Sequence, residues 1–135
     1  PAESEKTIIG AVGIQPERRY AGMLLRDAVA SDAEQISKKG GAILAKSQVN
    51  AKNAKCMGAV LRNPPQSCPA VHFDPSQGTC YSAVYRSFCD DPAGHRLEVM
   101  MLMPSSTAKD DLSPRARQQA AVYERILRSL EFKKS

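Results

Sequence analysis

The chain has 135 residues, 42% of them hydrophobic and 24% charged, with a formal net charge of +5. This length is usual for one domain, and this composition excludes an intrinsically disordered chain. The longest apolar run, residues 99–103, is far short of the roughly 20 residues a membrane-crossing helix needs.

The charge is unevenly spread. Residues 1–62 hold ten basic and six acidic groups, residues 63–114 three and six, and residues 115–135 six and two. Residues 1–6 are polar and acidic, carry no secretory leader, and are expected to form a disordered tail before a single domain over 7–132. Residues 133–135 are expected to form a basic tail.

In chain order, residues 7–14 (TIIGAVGI) read as one buried strand, closed by Pro16. Residues 17–38 read as a helix: Tyr20, Leu24 and Ala28 recur at spacing four, with Leu25, Val29, Ala33 and Ile36 beside them. Gly40 and Gly41 suit its end. The period then changes to two, with Ile43, Ala45, Ser47 and Val49 alternating with Leu44, Lys46 and Gln48. Residues 50–53 read as a turn and 56–61 as a second strand of the meander.

Residues 62–79 contain Pro64, Pro65, Pro69 and Pro75 and read as an irregular loop. Residues 80–89 read as a strand with Tyr81, Ala83 and Tyr85 on one face and Val84 and Phe88 on the other. A turn over 90–94 leads to a strand over 96–103, with Leu97, Val99, Met101 and Met103 on one side. Ser113 is placed to cap a final helix, with Pro114 at its first position. Ala116, Ala120, Tyr123, Leu127 and Leu130 form its apolar stripe. The expected fold is α+β: an antiparallel sheet of about five strands in β-α-β-β-β-β-α order, with both helices packed on one face.

Four cysteines lie within 34 residues, at positions 56, 68, 80 and 89. No CxxC pair is present, and His72 and His95 do not have zinc-finger spacing, so two disulfides are expected rather than a metal site. Four cysteines allow three connectivities. If strand 56–61 runs antiparallel to strand 80–89, Cys56 approaches Cys89, leaving Cys68 and Cys80 to close the proline-rich loop. Disulfides imply an oxidising compartment, periplasmic or secreted.

The closing segment Tyr123-Glu124-Arg125-Ile126-Leu127-Arg128-Ser129-Leu130-Glu131-Phe132, with the helix-then-strand stretch over 27–49, resembles the PsbP/Mog1/DcrB-like fold. The likeness covers most of the chain as a pattern of elements. The chain departs from that fold in its cysteine-bracketed loop and in lacking the N-terminal hairpin of fuller members. The resemblance implies a binding scaffold without catalysis and selects no partner.

No catalytic constellation stands out. Cys68, His72 and Asp74 are close in sequence, but a cysteine committed to a disulfide is no nucleophile. His95 follows a turn glycine and reads as exposed. The Asp90-Asp91 and Asp110-Asp111 pairs read as solvated turn residues rather than calcium ligands. Met100 and Leu102 would form an apolar contact surface if their sheet face lacked a helix. No phosphate loop, cofactor motif or nucleic-acid-binding module is present, although Arg115, Arg117, Arg125 and Arg128 share one helix. The sequence therefore favours a non-catalytic protein-binding or accessory domain of the bacterial envelope, an inhibitor or immunity protein being one version. The expected partner surface is the loop over 63–79, with His72, Phe73, Asp74 and Gln77 on it and Tyr81 and Tyr85 beside it. The alternatives are a small hydrolase using His72 and an electrostatic binder of nucleic acid or anionic lipid.

Overall fold

A computed structural model describes residues 7–9, 12–67, 78–103 and 114–132. Both expected tails and Ser113 lie outside the described residues. The elements are β1 (Thr7–Ile9), β2 (Val12–Pro16), α1 (Leu25–Lys38), β3 (Ala42–Ser47), β4 (Lys55–Arg62), β5 (Gln66–Ser67), β6 (Thr79–Cys80), β7 (Ala83–Asp90), β8 (Arg96–Leu102) and α2 (Pro114–Ser129). The main sheet is antiparallel, in the order β1-β2-β8-β7-β4-β3, and β5 pairs with β6 in a separate two-stranded ladder.

The fold is α+β, as expected, but the strand read over 80–89 is interrupted at Ser82, with Thr79–Cys80 pairing with β5 and β7 starting only at Ala83, and three further local expectations fail. The strand read over 7–14 is two: Thr7–Ile9 pairs antiparallel with Val12–Pro16, so the chain does possess an N-terminal hairpin. The helix read over 17–38 begins only at Leu25. Before it, the Glu17 carboxylate accepts the backbone N–H groups of Arg19 and Tyr20, holding a turn. Gly22 then takes a left-handed φ of 84° and Leu24 is extended, so helical geometry cannot run through. Gly40 and Gly41 do end the helix. Gly40 N–H bonds to the Ser37 carbonyl and Gly41 N–H to the Ile36 carbonyl, the paired Schellman bonds, with Gly40 at φ 95°.

The third correction concerns layers. The helices lie on opposite faces of the sheet. On β7, Val84 and Phe88 face α1, packing with Ala33 and Ala28, while Tyr85 and Cys89 face α2, packing with Tyr123 and Leu127. The neighbouring strands β4 and β7 are buried on both faces, so each face needs its own cover. Met100 therefore packs among the α1-side residues, although Leu102 remains 68% exposed.

The α2 side holds the larger core, with Val12, Val60, Val99, Met101, Tyr123 and Leu127 buried. The Tyr123 hydroxyl meets the Val99 carbonyl and the Ser87 hydroxyl, each at 2.9 Å, and burial pushes its pKa up. Within this layer Cys56 and Cys89 stand opposite each other on β4 and β7 and are joined by a disulfide.

Candidate functional site

The cysteine-bracketed loop leaves the sheet between the end of β4 and the start of β7. Its base is well fixed. Asn63 N–H donates to the Ser82 carbonyl at 2.8 Å, and Asn63 Nδ2 donates to Ser82 Oγ at 3.1 Å. Beyond this clamp, β5 and β6 pair antiparallel, Gln66 opposite Cys80 and Ser67 opposite Thr79. Gly78, at φ 102°, supplies a left-handed backbone just before β6. Cys80 is buried and disulfide-bonded. The expected Cys68–Cys80 pairing, and His72, Phe73, Asp74 and Gln77, lie outside the described residues.

Of the two tyrosines expected beside the loop, one belongs there. Tyr81 is half-buried at the base of the stem, and the Arg62 guanidinium sits over its ring at 5.4 Å from the centroid. Tyr85 is a core residue, 2% exposed. Its position on β7 turns it towards α2, where its ring lies 4.2 Å from that of Tyr123 and its hydroxyl donates to Glu124 Oε2 at 2.8 Å. Burial, above all, pushes its pKa up to about 12. It is therefore removed from the candidate surface.

A second polar cluster lies on the α1 face, beside an open cavity of about 390 Å³ lined by Gln15, Arg19, Arg86, Glu98 and their neighbours. Arg19 reaches Glu98 at 3.0 Å, Glu17 at 3.2 Å and Asp32 at 3.8 Å. Arg86 reaches Asp32 at 2.8 Å and Glu98 at 3.8 Å. Tyr20 donates to Asp32 and Gln15 to Glu98. Three buried carboxylates thus share two guanidiniums. Burial raises the Glu98 carboxyl above the usual range, opposed by Arg86 and Arg19. With each carboxylate already facing a cation, the cluster works as a structural tie between the β2–α1 turn, α1, β7 and β8.

The sequence reading missed this cluster. Its signal was two charges in apolar settings: Glu98 within the strand Leu97-Glu98-Val99-Met100-Met101, and Asp32 beside Ala33 on the buried side of α1.

The remaining candidates are surface groups. His95 is exposed, with Nδ1 3.6 Å from the Asp91 carboxylate. Asp91 Oδ1 accepts the N–H groups of Ala93 and His95 in the β7–β8 turn, and Asp90 pairs with Arg96 at 2.7 Å. Asp110 and Asp111 lie outside the described residues. No group of three or more metal-ligating side chains is found among the described residues, and no described helix is long and apolar enough to cross a membrane. Compared with protein-family models, curated proteins and solved structures, the chain matches none.

Proposed function

We propose that the protein is a non-catalytic binding or accessory domain of an oxidising compartment, the bacterial envelope or periplasm, and that it engages another protein through the loop over 63–79. The inhibitor or immunity role belongs to this proposal. One observation carries it most: the loop stands on a short ladder of its own, clamped by Asn63 and Ser82 and rooted at a buried, disulfide-bonded Cys80. Binding segments gain affinity when their ends are fixed before the partner arrives, because less ordering entropy remains to be lost.

Three further points support the reading. The Cys56–Cys89 disulfide fits an extracytoplasmic setting. The described cysteines are bonded rather than nucleophilic. The acidic surplus of residues 63–114 favours a basic partner surface. The resemblance to the PsbP/Mog1/DcrB-like fold supports the same class of role.

The test replaces residues 69–77 with a glycine–serine segment of equal length, keeping Cys68 and Cys80. Wild type and variant are immobilised and exposed to an envelope extract under non-reducing conditions. Proteins held by the wild type and released by the variant support the loop as the contact. Identical retention by both removes it.

A further inference from the structure

The two helices present opposite kinds of surface to solvent. The exposed positions of α1 include Arg26, Asp27, Glu34 and Lys38, two basic and two acidic. These charges are neighbours in pairs: Lys38 reaches Glu34 at 3.2 Å and Arg26 reaches Asp27 at 4.0 Å. This is a self-neutralised, solvated helix face.

On α2 that balance is missing. Of its nine exposed positions, four are arginine (Arg115, Arg117, Arg125 and Arg128) and none is acidic. Its one acidic residue, Glu124, is half-buried at the edge of the packed side and accepts the Tyr85 hydroxyl. Among the described residues, Arg115, Arg125 and Arg128 make no ion pair. At about 1.5 Å per residue, the arginines span about 20 Å of one helix that packs on the sheet. Ala121 and Val122 are exposed between them, Val122 by 39%.

We infer that the outer face of α2 is a docking surface for an anionic phospholipid bilayer, on which the protein sits peripherally. The inference is independent of the loop proposal. Arginine suits phosphate because its planar guanidinium offers paired N–H donors. An array on one side of a helix meets a plane of headgroups with all members at once, and the small apolar side chains between them come to rest at headgroup depth. Nucleic acid fits less well. The exposed face of α2 carries no aromatic side chain on which bases would stack, and the disulfide points to a compartment where membrane surfaces, not nucleic acids, are the abundant polyanions.

The experiment is co-sedimentation of the full chain with phosphatidylglycerol-containing vesicles and with pure phosphatidylcholine vesicles, at low and high salt. Binding is expected to the anionic vesicles alone and is expected to fall steeply with salt. Arg125→Glu/Arg128→Glu should lower the partition coefficient by roughly tenfold or more. Arg125→Gln/Arg128→Gln should lower it less, and far-UV circular dichroism checks that both variants fold. The control is Arg26→Glu/Lys38→Glu, which changes net charge equally but on α1, and it should retain most of the binding. An equal loss in the control would overturn the face-specific inference in favour of net charge. Absence of binding to anionic vesicles would overturn it outright. Duplex DNA or polyglutamate binding as strongly as the vesicles would overturn the lipid assignment.

Discussion

A methyl group on Gly58 would stand 2.4 Å from the Arg86 carbonyl oxygen and 2.5 Å from Ser87 Oγ. Gly58 faces Ser87 across β4 and β7, and that serine hydroxyl is already engaged with Tyr123. The neighbours are backbone and a fixed hydroxyl, so neither can retreat cheaply. Gly58→Ala is expected to destabilise the protein by about 1–3 kcal/mol, the usual cost of overpacking. Urea unfolding measures this, and an unchanged midpoint would mean that the strands open to accept the methyl. Glu98 makes a different residue-scale prediction. Burial raises its folded-state pKa, so on acidification the native protein takes up this proton before the unfolded chain does. In the window from the ordinary glutamate value, about 4.3, up to the raised native value, the native state binds more protons. Stability from this group is therefore lost as pH rises through that window. Glu98→Gln should remove the declining component from a series of urea curves taken across mildly acidic pH. Parallel curves for wild type and variant would show that Arg86 and Arg19 offset the burial completely.

Elements become stable here by being tied to one another. The Cys56–Cys89 bridge joins the neighbouring strands β4 and β7 at their outer ends, and its sequence separation of 33 closes a long loop. In the chain-entropy account a loop of that size contributes about 3–4 kcal/mol. Replacing both cysteines with alanine should lower the unfolding free energy by about that amount, and reductant should then have less effect on the variant than on the wild type. A loss well below 1 kcal/mol would show that the sheet is already ordered without the bridge. This pairing was legible because two antiparallel strands of similar length bring their far ends together. The start of α1 was not. Tyr20, Leu24 and Ala28 have helical spacing, yet Tyr20 is held by the Glu17 turn and packs on Phe88 as part of a loop. Periodicity reports which residues are buried and not which backbone carries them. The same blindness hid the role of Asn53. It reads as a turn residue, but its side-chain amide donates to the Phe132 carbonyl and accepts the Phe132 N–H, clasping the segment that follows α2.

The whole molecule has two apolar layers with a sheet between them, and this explains which parts of its architecture the sequence revealed. The α2 stripe and the strand Leu97-Val99-Met101-Met103 could be read because their apolar residues recur at the period of the element, although the other face of β8 is covered too, with Glu98 buried and Met100 packed on the α1 side. The placement of the helices was misread because β4 and β7 are apolar on both faces, a pattern that short strands share with buried helices. The charged cluster was missed because its members are dispersed from Gln15 to Glu98. Tyr85 was misassigned because a tyrosine near a loop reads as surface until its partner on α2 is known. The layering also sets how substitutions combine. Leu61 is buried against α1 and Leu127 belongs to α2 on the other face. Truncating either to alanine should cost about 2–5 kcal/mol. The two sites share no cluster of packed side chains, so their costs should add to within about 0.5 kcal/mol in a double-mutant cycle. A larger coupling would mean that strain crosses the sheet, through β4 and β7, and that the two layers answer as one core. Additive costs together with a single unfolding transition would assign cooperativity to the shared strands, with each helix contributing its own separate packing.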